Sequence, residues 1–126
     1  MSEAITLDTF RARLAAAVAG ESACPVVTHM AFGRGGHNHD GTARPVAASR
    51  TTLFDERLRK TAASIDRPSP TEVRVKGVIT EAELNGETIS EAALVDASGQ
   101  LIAMKTFAPK VKESDERIEI TLTLRF

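Results

Sequence analysis

"RIEITLTLRF", residues 117–126, is the most regular segment of the chain. Ile118, Ile120, Leu122, Leu124 and Phe126 alternate with Glu119, Thr121, Thr123 and Arg125. In an extended backbone successive side chains point to opposite faces, so this period of two gives one apolar face and one polar face. A helix would spread the same apolar residues around its circumference. The segment therefore reads as a half-buried antiparallel strand, and its apolar face needs a second layer to cover it. The terminal Phe126, on the apolar face, is expected to be part of the core.

The segments before it carry the same period. "EVRVKGVIT" (72–80) sets Val73, Val75, Gly77 and Ile79 against Arg74, Lys76, Val78 and Thr80. "ISEAALVDASGQLIAMKTF" (89–107) reads as two strands joined at "DASGQ", where Asp96, Ser98 and Gly99 supply turn chemistry. "VVTHMAF" (26–32) is a further strand, and "GRGGHNHDGTARP" (33–45) a long turn or loop whose glycines are expected to permit positive φ. "RPSP" (67–70) reads as a break. "SRTTLFDERLRKTAASI" (49–65) fits two patterns; a short helical or turn segment leading into a strand is expected. "ITLDTFRARLAAAVAGE" (5–21) is the one helix. Phe10 and Leu14 lie a turn apart, with Leu7, Ala17 and Val18 near the same face, Thr6 or Asp8 available as caps and Gly20 as the stop. The fold class is α+β, mainly antiparallel β and sandwich-like, with an N-terminal amphipathic helix packed on it. Residues 1–126 make one domain, with no internal repeat and no separating linker.

Composition narrows the function classes. Sixteen basic residues against seventeen acidic ones leave a net charge of -1, and no block is strongly basic, which argues against a nucleic-acid partner. Trp and Tyr are absent, which removes the usual stacking platforms for sugars and single strands. No apolar run approaches the ~20 residues of a membrane helix, and "MSEAITLDTF" has no signal pattern. A cytosolic product without membrane partners is expected. The single cysteine, Cys24, excludes an internal disulfide; beside Pro25 it reads as a small buried hydrophobe, not a thiolate.

Candidate chemistry centres on "THMAFGRGGHNHDGT" (28–42). His37 and His39 project to the same side of an extended segment, ~7 Å apart. Two ligands are too few for a closed zinc site. Three chains about a threefold axis would bring six imidazoles together, an octahedral set. A small metal-dependent hydrolase using His29, His37, His39 and Asp40 is one alternative, although no HExxH pattern is present. A small-ligand-binding β domain is another. "GRGG" matches neither the P-loop nor the dinucleotide fingerprint, and no serine sits in a GxSxG elbow. Glu81, Glu83, Glu87 and Glu91, in "TEAELNGETISE", read as a solvated charged loop. No catalytic constellation follows, and neither an enzyme nor a cofactor is expected.

The order of these blocks resembles the N-terminal domain of phage tail-collar fibre proteins of contractile tails and tail-like bacteriocins. The resemblance is carried by the opening helix "ITLDTFRARLAAAVAG", by "VTHMAFGRGGHNHDGT", by "TTLFDERLRK", by "VKGVITEAELNGETISEAALVDASGQLIAMKTF" and by the alternating C-terminal strand. The fourth block is the most specific. Ala93 departs from the family's Gly before Leu, and Arg34 stands where a small or acidic residue is common. The resemblance spans the chain and includes neither shaft nor receptor-binding tip. It implies a structural tail component, a fibre base or adaptor on the baseplate or collar, in the virion tail and made in the bacterial host cytoplasm. It also implies a homo-oligomer, with a trimer favoured. The expected docking residues are Arg34, Gly35, Gly36, Asn38 and Asp40 in one loop and Glu83, Asn85 and Glu87 in another.

Overall fold

The structure, a computed structural model, describes residues 4–126. The first three residues, part of the stretch read as lacking a signal, lie outside the described ones. The elements are β1 (Ile5–Thr6), α1 (Asp8–Val18), β2 (Val27–Gly33), β3 (Glu56–Thr61), β4 (Ser64–Ser69), β5 (Glu72–Ile79), β6 (Thr88–Asp96), β7 (Leu101–Val111) and β8 (Ile118–Arg125). They form two antiparallel sheets, one ordered β1-β7-β6-β2-β3 and the other β4-β5-β8. The mainly antiparallel α+β class is what the alternation implies.

β5 and β8 pair without interruption from Glu72↔Arg125 to Ile79↔Ile118. Val75, Ile79, Leu122 and Leu124 join Met30, Phe32, Leu94 and Ile102 of the larger sheet in the main core. A Cβ on Gly77 would overlap Met30 and lie 2.8 Å from Phe32 Cζ, so this glycine sets how closely the two sheets approach. The larger sheet is buried on its second face as well. Leu7, Ala31, Leu53, Ala93, Val95, Leu101 and Met104 form a second cluster there, with Val46 and Phe54 of the 34–55 connection packed on it. This double burial accounts for β6, in which every residue after Thr88 is buried.

The helix is shorter than its sequence pattern. Ile5 and Thr6 pair with Met104 and Ala103 as an edge strand. The N-cap is Leu7, without a side-chain cap; neither Thr6 nor Asp8 caps, and the Asp8 N–H instead donates to the Ala48 carbonyl at 2.8 Å. Gly20 does end the helix, at φ +78°. Its N–H donates to Ala17 O and that of Glu21 to Ala16 O, the paired bonds of a Schellman stop. Phe10 is buried, whereas Val18, placed on the same face by its spacing, is 83% exposed because the helix runs past the sheet.

Three further expectations are corrected. "RPSP" does not break the chain at Arg67: Arg67 and Pro68 lie in β4, an edge strand whose register slips between Asp66 and Ser69, where Pro costs no ladder bond. Phe126 is 61% exposed, held by its backbone N–H on Thr71 O, because the paired strand ends before it. Cys24 is exposed, since it precedes β2 and lies outside the core.

Candidate docking site at the glycine-rich loop

The loop after β2 is held to the start of β6 by two adjacent side chains. Glu91 is fully buried, and its carboxylate accepts three backbone N–H groups: Gly35 at 3.0 Å, Phe54 at 2.8 Å and Asp55 at 2.8 Å. Ser90, also fully buried, accepts the Gly36 N–H at 2.9 Å and lies 2.9 Å from His37 Nδ1. A buried carboxylate is tolerable only when its oxygens are saturated, and here backbone amides do this. Glu91 is therefore not part of a solvated loop. An ionisable side chain inside the apolar run "ISEAALV" was the signal for it.

The glycines serve this approach rather than positive φ. Neither Gly35 nor Gly36 has positive φ; in this loop only Gly41 does, at +84°. A Cβ on Gly35 would lie 2.6 Å from Phe54 Cβ, and one on Gly36 would overlap the Ser90 carbonyl oxygen. The loop then turns back, with Asn38 N donating to Thr42 O and His37 bridging Ala43. Asp40 accepts the Thr42 hydroxyl and N–H, which lowers its pKa.

Arginines surround this loop. Arg34 donates to Asp55 at 2.7 Å and lies 3.6 Å from Glu87, which also accepts from Arg57. The Arg34–Asp55 hydrogen bond raises the arginine's pKa and lowers that of the carboxylate. Arg44 and Arg50 each place their guanidinium carbon 3.7 Å from the Phe54 ring centroid. Two guanidinium groups at that height must occupy opposite faces of the ring. Arg34, Gly35, His37, Asn38, His39 and Arg44 line a surface groove of about 570 Å³.

His37 and His39 share this groove, but His37 is tied to Ser90 and His39 stands exposed in the turn. His29 lies in β2, its Nδ1 2.8 Å from Thr28 Oγ1. Among the described residues no three His, Cys, Asp or Glu side chains converge as a metal-ligand set, so His29, His37, His39 and Asp40 are not brought together.

The second expected docking loop, 80–87, is also held from inside. Glu83 accepts from Lys60 at 2.7 Å and from the Thr80 N–H at 2.9 Å; the Lys60 hydrogen bond is the largest cause of its lowered pKa. Asn85 Oδ1 accepts from Lys112 Nζ at 2.7 Å. Lys112 is fully buried, and its ammonium also donates to Glu113 O at 2.9 Å and Glu81 O at 3.4 Å. Sequence reading passed over Lys112, Ser90, Arg44 and Phe54, because each gains its role from a residue distant in the chain.

A scan against protein-family models finds no match, and a search of curated proteins finds no relative.

Proposed function

We propose that the chain is a structural component of a phage or phage-like contractile tail, a fibre base or adaptor that docks to baseplate or collar proteins through protein–protein contacts. It works by self-association and docking rather than by chemistry, as a trimer in the virion tail, after synthesis in the bacterial host cytoplasm. The observation that carries this reading is the convergence of three separate blocks of the resemblance on one carboxylate. Gly35 of "VTHMAFGRGGHNHDGT" and Phe54 and Asp55 of "TTLFDERLRK" all donate to Glu91 of "TISEAALVDASGQLIA". Blocks that depend on one another physically are expected to recur together and in order, which is the form the resemblance takes. The 34–44 loop is presented at the end of two central strands, β2 and β6, a stiff support for a docking surface.

Light scattering on the purified chain, with metal determined on the same peak, tests the assembly. A mass about three times the 13.5 kDa of one chain is expected. Metal near one atom per three chains would put His37 and His39 on the axis, and a metal-free trimer would leave them as loop residues. A monomer with a full equivalent of metal would overturn the reading in favour of a metalloenzyme.

A further inference from the structure

We propose that the groove between Arg34, His37, His39 and Arg44 receives a carboxylate-bearing segment of a protein partner. The proposal rests on the docking reading above and names the chemistry of that docking.

None of the described residues lining the groove is acidic. Arg44 is its principal open cation. Among the described residues no carboxylate lies within ion-pair distance of Arg44 or Arg50, and Arg44 gives one hydrogen bond, to Gly35 O at 3.3 Å. The ring of Phe54 holds both guanidinium groups by their faces. A ring face orients such a cation without neutralising it, and leaves the N–H edge free for bidentate pairing with a carboxylate.

His37 adds a second polar group. The Ser90 hydroxyl oxygen accepts the Gly36 N–H and lies 2.9 Å from His37 Nδ1. In the tautomer whose Nδ1 accepts the Ser90 proton, the ring proton lies on Nε2, where it can be donated to an anionic acceptor.

The rim decides between acidic ligands. Asp55 and Glu87 hold Arg34, and Asp40 follows His39 in the turn. A nucleic-acid backbone, with a charge every ~1.7 Å of duplex axis, would set phosphates against these carboxylates. A short peptide with one or two acidic side chains fits between them, and the overall net charge of -1 also disfavours a polyanion.

The test is a two-dimensional NMR titration of the full chain at low salt with a capped peptide of three consecutive aspartates between glycines. The matching asparagine peptide and inorganic phosphate serve as comparisons. Saturable shifts of the Gly35, Gly36, His37 and His39 amides are expected with the aspartate peptide only. Arg44→Gln should weaken it about tenfold, the loss of one charge-assisted pair. Arg67→Gln, the same charge change on β4, should leave it unaltered. His39→Gln, at an exposed turn position, gives a smaller loss and serves if Arg44→Gln fails to fold. Absence of saturable shifts, equal binding of the asparagine peptide, binding of phosphate as tight as that of the peptide, or equal weakening by Arg67→Gln would each overturn the proposal. If peptide binding fails while the chain still occurs on tail particles, the groove alone is excluded. Peptide binding by a chain absent from particles would exclude the tail reading instead.

Discussion

A fully buried carboxylate, with no ion-pair partner among the described residues, organises the loop end of the molecule. Glu91 saturates three backbone N–H groups that would otherwise be stranded beneath the 34–55 connection. In Glu91→Gln one oxygen becomes an NH2 group that must face a backbone donor. We expect a loss of about 3 kcal/mol in urea unfolding, from weaker hydrogen bonds and one unsatisfied amide. The glycines offer a matched comparison. Gly36→Ala forces a Cβ onto the Ser90 carbonyl and should cost at least ~3 kcal/mol, in the range of severe overpacking. Gly41→Ala meets open space and carries only the left-handed penalty, about 1–2 kcal/mol. Equal losses at the two positions would contradict the close-approach reading. The presence of a special loop was legible from "GRGGHNHDGT". Its mechanism was not, because Glu91 and Ser90, which accept the Gly35 and Gly36 N–H groups, lie more than fifty residues away.

Elements bind one another here through a few side chains at their ends. Arg13 of α1 pairs with Asp96, whose other oxygen accepts the Ser98 hydroxyl and the Ser98 and Gln100 N–H groups at the β6–β7 turn. Burial raises the Asp96 pKa, but these hydrogen bonds together with Arg13 outweigh it, so the folded value is lowered. A lowered folded pKa contributes stability that is present above the unfolded value of ~3.9 and is lost as pH falls through the folded value. The urea midpoint of the native protein should therefore drop more steeply below about pH 4 than that of Asp96→Asn, which starts lower at neutral pH. On the helix, Phe10→Ala should cost about 3–4 kcal/mol while Val18→Lys changes stability by under ~0.5 kcal/mol. The helix was legible from spacing and its stop from Gly20, but its expected start was not, since Ile5 and Thr6 pair as an edge strand instead. Val18 was misplaced because periodicity tells which residues share a face but not how far the covering sheet extends. At the other end of the sandwich, Lys112→Met would leave Asn85 Oδ1 and two carbonyls without their donor. Hydrogen exchange should quicken across residues 80–87 more than in β5 or β8.

For the whole molecule, two sheets and one long covering connection make a sandwich; three of its four edge strands are guarded, and the fourth, β8, is a regular strand of eight residues. β1 has two residues, β3 carries Glu56, Arg57, Arg59 and Lys60, and β4 carries Asp66, Arg67 and Pro68, all features that discourage strand addition. The sandwich itself was legible from the alternation of β5 and β8. The second buried face was not, because residues 34–55 cover it with irregular backbone, which leaves no period to read. In the proposed docking reading, contact with other proteins falls to loops, above all the one that Ser90 and Glu91 hold in place. The most direct measurement is quantitative mass spectrometry of contractile tail particles purified from the producing bacterium. We expect this chain at a fixed ratio to the sheath protein, in a copy number divisible by three and retained through a density gradient. Recovery only in the fraction free of particles would contradict its assignment to the tail.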